Sequence, residues 1–209
     1  MRVFADRRLQ APVIDDFIRA ADIARGTFYG HFKSTVELLD ATIKWLGDET
    51  IAAIEAAMKG IHDPALRVGT GVRLWLRKSQ ADVAWCRFVS RIWDYGELVK
   101  SQPMADIQNG LRTKVFRLAC AEAGWDLVVG TTHQAMLRYL EHTAPRNYAE
   151  TVAATVLRGL GVKPIDIETI IRFPLPEMRP SDPHCASPSR STRRFGARGI
   201  GTKGAKRRR

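Results

Sequence analysis

The sequence predicts an all-α protein. Three observations carry this expectation: apolar residues recur at helical spacing along most of the chain, capping signals bracket those stripes, and no alternating Val/Ile/Thr-rich run suggests a sheet. The 209 residues are enough for one sizeable core or two small ones. A composition of 45% hydrophobic and 26% charged residues excludes a wholly disordered chain.

Taken in order, Ile14, Phe17, Ile18 and Ala21 give a first short helix one apolar side, and Ile23, Phe28 and Phe32 do the same for a second. A tight break near Asp22 separates them. Leu39, Ile43, Leu46, Ile54 and Met58 share a face of a long helix from about Ser34 to Lys59. Ser34 with Glu37 three residues on is the capping-box pattern, and Gly60 marks the end. Asp63-Pro64 supplies a cap and a first-turn proline for a helix over about 64–78, which Gly69 and Gly71 should bend or weaken. Trp85, Phe88, Val89, Ile92 and Trp93 form the stripe of another helix. Ile107, Leu111, Val115, Leu118 and Ala119 mark a further one ended by Gly124, and Asp126 can cap the next, lined by Val129, His133, Met136, Leu137 and Leu140. Ala149, Val152, Ala153, Val156, Leu157 and Leu160 make the cleanest stripe, closed by Gly161 and Pro164, with a short helix following around Ile165–Arg172.

Beyond residue 173, periodicity stops. The last 36 residues hold ten Lys/Arg against Glu177 and Asp182, so +8 of the net +11 sits there and only +3 belongs to residues 1–173. Such a segment buries too little apolar surface to offset its ordering entropy, and disorder is expected over 174–209. Its basic end reads as a nonspecific arm for a polyanion, as a solvated end, or as GC-rich DNA read past a lost stop or in a shifted frame, and no role is assigned to it. The longest stretch without a charged residue, Leu127–Leu137, is too short to cross a bilayer, and no secretory signal is visible. A cytoplasmic protein without a membrane partner is expected. Cys86, Cys120 and Cys185 are scattered and odd in number, which argues for reduced thiols.

The chemistry concentrates in residues 13–33. Opposite its apolar side, the second short helix presents Arg25, Thr27, Tyr29, His31 and the adjacent Lys33, and Gly26 permits close backbone approach. Donor-rich and small residues suit the DNA major groove, where Arg and Thr reach base edges and Lys, Tyr and His hold phosphates. Charge alone does not separate this from an ordinary solvated helix, since residues 1–33 carry only +2.

Ala20 to Ser34, with its Arg25-Gly26-Thr27-Phe28-Tyr29-Gly30-His31-Phe32-Lys33 core, followed by Glu37-Leu38-Leu39, resembles the helix-turn-helix of TetR-family transcriptional regulators. The likeness spans about residues 4–46. It implies a homodimer whose recognition helices enter successive major grooves of a palindromic double-stranded operator. By that resemblance Arg25, Gly26 and Thr27 face bases and nearby backbone, while Tyr29, His31 and Lys33 hold phosphates. Val13 and Ala24 stand where the family has hydroxyl residues, and Asp22 stands at the turn glycine. The family's first helix would need about three more turns than the chain from Met1 holds, so a start further upstream is expected, with Ile14, Phe17 and Phe28 partly uncovered in the chain as it stands.

Elsewhere the signals are weaker. Trp75, Trp85, Phe88, Trp93 and Tyr95 concentrate aromatic residues between 75 and 95, either as core packing or as the wall of an effector pocket. His133, on an apolar face, is either a hydrogen-bonded structural histidine, the reading base rates favour, or an effector contact. The stripe of Val152, Val156 and Leu157 is either core or a dimer seam, and the resemblance favours the seam. No His/Cys spacing suits a metal, no phosphate loop or Ser/His/Asp set appears, and neither an enzyme nor a cofactor is expected. The expected organisation is a DNA-binding head (1–46), an effector-binding and dimerising body (47–173) and a basic tail (174–209). The function this implies is a repressor released from its operator by a small-molecule effector. The alternative is a dimeric small-molecule-binding protein whose head no longer reads DNA.

Overall fold

The computed structural model describes residues 14–91 and 95–178, and every regular element among them is an α-helix. They are α1 (Ile14–Ala21), α2 (Arg25–His31), α3 (Thr35–Ala57), α4 (Pro64–Ala81), α5 (Val83–Val89), α6 (Glu97–Arg112), α7 (Ala121–Leu140), α8 (Tyr148–Gly159) and α9 (Pro164–Arg172).

Helices α1 and α2 form a small unit with its own apolar contacts. Asp22 adopts a left-handed φ of 52° between them, a conformation Asp tolerates better than most residues. Phe17 and Phe28 are 8% and 2% exposed and lie outside the main core cluster. The expectation that these rings are left uncovered is therefore corrected; Ile14 is half-buried. Ala24 caps α2 without a side-chain hydrogen bond.

Two sequence signals then set the course of the chain. Ser34 Oγ accepts from Glu37 N at 3.1 Å, while the Glu37 carboxylate accepts from Lys33 N at 2.6 Å, which fixes the step from α2 into α3. Asp63 accepts from Leu66 N at 2.7 Å and starts α4 on Pro64. From Thr35 to Ala57, α3 runs unbroken from head to body.

The hub of the body is α4, which packs against α3, α5, α6, α7, α8 and α9. Its glycines do not interrupt it, contrary to expectation. Gly69 is where two other helices come close: a Cβ there would stand 2.6 Å from Ile170 Cγ2 and 3.1 Å from Leu157 Cδ1. Nearby, buried Arg73 donates to the carbonyls of Ile170 (3.3 Å) and Phe173 (2.9 Å), closing the C-terminal end of α9. Arg77 pairs with Glu150 at 2.8 Å and ties α4 to α8.

Three further expectations are corrected. First, α5 ends at Val89 instead of continuing to Trp93; Ile92 and Trp93 lie outside the described residues, as does Val13. Second, the helix of Ile107 and Leu111 does not extend to Ala119. It ends near Thr113, Lys114 turns the chain at φ 60°, and Phe116 folds back to donate to the Gly110 carbonyl at 3.0 Å. Arg117 N then donates to Leu160 O at 2.9 Å, so Val115–Ala119 is a loop stapled to the end of α8. Third, α7 starts at Ala121, which places Gly124 and Asp126 inside the helix and not at its boundaries.

The C-terminal end of α8 behaves as its sequence suggests. Gly161 takes φ 80°, and Val162 N returns to Leu157 O at 3.0 Å in the helix-stop motif that favours glycine. Past α9 the described chain has no regular structure, and Leu175 and Met178 still pack on the core, so the body reaches further than residue 173. The remainder of the expected tail, 179–209, lies outside the described residues. No described helix is long and apolar enough to cross a membrane.

Candidate DNA-reading head and ligand cavity

On α2 the apolar and polar sides separate as the 3.6-residue period requires. Phe28 points inward, with Phe32 beside it at 5.9 Å between ring centroids. Arg25, Gly26, Thr27, Tyr29, His31 and Lys33 are all exposed, and Tyr29 is 49% exposed. Neither Gly26 nor Gly30 has anything within 4 Å of its Cβ position, so the outer side of the helix is open to a partner. The Arg25 guanidinium hydrogen-bonds Asp15 of α1, which raises its pKa. Both side chains of this pair are more than half exposed, so exchanging Asp15 for another acceptor costs little.

The body contains a cavity of about 80 Å³ bounded by α3, α4, α6 and α7. That is several times the roughly 10–15 Å³ a single water needs, and about half the roughly 150 Å³ of a cavity that holds benzene. Its wall is mainly aliphatic, with Trp75 as the large flat surface. Trp75 Nε1 donates to Met136 Sδ at 3.1 Å, and the Trp85 ring packs edge-on behind it at 5.1 Å.

Of the residues expected to form a pocket, Trp75 and His133 line this cavity. Trp85 and Phe88 do not: both are buried in the core, Trp85 on the far side of Trp75, because α5 packs outside the cavity wall. Trp93 lies outside the described residues. Tyr95 does line the cavity, and its hydroxyl shares a 2.9 Å hydrogen bond with His133 Nδ1. Burial pushes the Tyr95 phenol up to about 12 and holds His133 below its ordinary 6.5, so both are neutral at pH 7.

A second polar group was not anticipated from the sequence. Arg67 on α4 donates from Nη2 to Glu55 Oε2 on α3 and from Nε to Asp106 Oδ1 on α6, both at 2.6 Å, and from Nη1 to Ile61 O at 3.3 Å. Burial works against the Arg67 charge, but the two carboxylates outweigh it and its pKa rises. Burial raises the pKa of Asp106 despite the pull of Arg67. A signal for these residues existed. Glu55 sits inside the apolar row Ile51, Ile54, Met58; Arg67 sits inside Pro64, Val68, Gly71; Asp106 follows Val99 and Pro103 at helical spacing. A charge inside a buried stripe needs a partner.

The remaining expected site residues are placed differently. Val156 and Leu157 have no exposed surface, and Val152 is 5% exposed, all within a single chain. They are core packed against α4, and the seam expected through them is corrected. Among the described residues no cluster of three or more His, Cys, Asp or Glu could hold a metal ion.

The arrangement of two short helices, one long helix and an all-helical body is similar in fold to solved TetR-like transcriptional regulators. Solved structures similar to this chain include RolR without ligand, at 22% identity and a TM-score of 0.70 over 85% of this chain and 95% of that one. RolR in complex with resorcinol matches at 21% identity and a TM-score of 0.66, over 85% and 91%. A TetR-like transcriptional regulator from Rhodococcus sp. RHA1 matches at 18% and 0.51, over 78% and 91%. No family model matches the sequence, and no curated protein matches it.

Proposed function

We propose that the protein is a homodimeric transcriptional regulator of the TetR family, a cytoplasmic repressor released from a palindromic DNA operator by a small-molecule effector. The observation that carries this reading is the sorting of α2, with Phe28 inside and Arg25, Gly26, Thr27, Tyr29, His31 and Lys33 outside. Arg25 and Thr27 take base edges, Gly26 allows the approach, and the other three hold phosphates. The cavity between α3, α4, α6 and α7 is the effector site, with Trp75, Tyr95 and His133 on its wall. That RolR has been solved with resorcinol supports a small aromatic effector.

For the dimer, the outer face of α7 and α8 replaces the buried stripe. Leu127, Gly130, Thr131 and Gln134 form one row on α7, beside the exposed Thr155, Arg158 and Gly159 of α8. Gly130 has nothing within 4 Å of its Cβ position, which leaves room for a second copy on a two-fold axis.

Fluorescence anisotropy with selected and scrambled duplexes tests the head. Lys33→Ala should weaken binding to both alike and reduce the salt slope by about one. Arg25→Ala should instead relax discrimination at particular base positions, by about 1–3 kcal/mol. Equal loss on both duplexes for Arg25→Ala would refute its base-reading role.

A further inference from the structure

We infer that the cavity takes a small ring-bearing molecule that carries no negative charge and donates a hydrogen bond at the end where Asp106 lies. This rests on the cavity being the effector site, and it names the chemistry of the effector.

The inference comes from accounting for hydrogen bonds along the wall. Three of the donor groups are engaged within the protein, while the Gln102 amide on the same wall can both donate and accept. Trp75 Nε1 is bonded to Met136 Sδ at 3.1 Å, the Thr132 hydroxyl to Val128 O at 2.7 Å, and Arg67 reaches three acceptors. The acceptors are not used up. Arg67 takes Oδ1 of Asp106 and Oε2 of Glu55, and each carboxylate has a second oxygen with lone pairs of its own. Pro103, within α6, has no N–H to give the Val99 carbonyl four residues back, and both residues line the cavity.

Charge points the same way. One guanidinium against two carboxylates leaves this end at −1, with the Arg67 and Asp106 side chains only 16% and 14% exposed. An anion placed there meets uncompensated like charge in a poorly solvated site. An apolar molecule without a donor leaves the second oxygens of the two carboxylates less solvated and adds no hydrogen bond to them. A hydroxyl or N–H on a flat ring meets both demands: the ring lies against Trp75 and the aliphatic wall, and the donor reaches the carboxylate end.

Calorimetric titration of the full chain at pH 7.5 with 3-methylphenol, 3-methylbenzoate and toluene tests this. The three share a ring and differ in the donor and the charge. 3-Methylphenol should bind at least tenfold more tightly than either of the others. Asp106→Asn, close in shape but neutral, should cut the preference over 3-methylbenzoate to less than threefold. Glu55→Gln provides the same test if the Asp106 variant melts early. Should 3-methylbenzoate or toluene bind as tightly as 3-methylphenol to the wild type, the donor inference fails while the cavity stands as a ligand site. Binding of none of the three would overturn the cavity reading as well. DNA binding does not enter the measurement, so failure of the head to read DNA would be seen separately.

Discussion

Replacing Leu157 with alanine separates core from dimer seam. Leu157 has no exposed surface, and its Cδ1 lies 3.1 Å from where a Gly69 Cβ would stand, so it fills the closest approach of α8 to α4. Truncation removes three buried carbons at a contact between two helix backbones, where relaxation is limited. A cost of about 2–5 kcal/mol is expected. At roughly 2–4 °C per kcal/mol for a chain of this size, the melting temperature should fall by about 4–20 °C. The oligomeric state in light scattering should be unchanged. Gly130→Glu should do the reverse. It fills open space on the outer face of α7, replaces a poor helix former with a better one worth up to about 1 kcal/mol, and places a charge on the proposed dimer face. The folded chain should then be monomeric at an unchanged or higher melting temperature. A Leu157→Ala protein that dissociates without losing thermal stability would refute the assignment of α8's apolar stripe to the core.

Two other perturbations follow from the body. Asp48 Oδ1 on α3 accepts from Leu98 N at 2.9 Å and Val99 N at 3.1 Å, capping α6 from another helix; Asp48→Ala should cost about 1–2 kcal/mol by denaturant titration, and a change below 0.3 kcal/mol would show that the cap is not needed. His133 resists protonation because it is buried, so its folded pKa lies below the unfolded 6.5. Its contribution to stability is full above pH 6.5 and is lost as pH falls below it, because the unfolded chain takes up a proton that the folded one refuses. His133→Gln should flatten the decline in urea stability between pH 7 and pH 5, and an identical slope in both proteins would contradict this.

Much of the fold is legible in the sequence because its signals are local. Ser34 with Glu37, Asp63 with Pro64, and Gly161 with Pro164 mark boundaries that the structure reproduces to within a residue or two. The outward face of α2 is legible for the same reason, since Ile23, Phe28 and Phe32 fall on one side and the polar residues on the other. Legibility fails where tertiary contacts override periodicity. Val115, Leu118 and Ala119 continue the helical spacing of Ile107 and Leu111, yet Phe116 finds its place against Gly110 and the chain leaves the helix. Gly69 looks like a weak point in α4 until Leu157 and Ile170 are seen to need its space. The stripe of α8 has the same appearance whether it faces α4 or a second subunit, and only burial tells them apart. The cavity was the least legible part. Glu55, Arg67 and Asp106 come from three helices, and what joins them is a pair of 2.6 Å hydrogen bonds rather than a sequence spacing.

Selection of binding sites from random duplex DNA by the purified full chain tests the central claim most directly. A dimer with α2 as its reading helix should enrich a palindrome whose half-sites are centred about one helical turn, roughly 34 Å, apart. The enrichment should be lost with Arg25→Ala and with Gly130→Glu. Sequence-independent retention that merely weakens as salt rises, with no palindrome emerging after repeated rounds, would contradict the account and identify the protein as a ligand-binding helical body whose head does not read DNA.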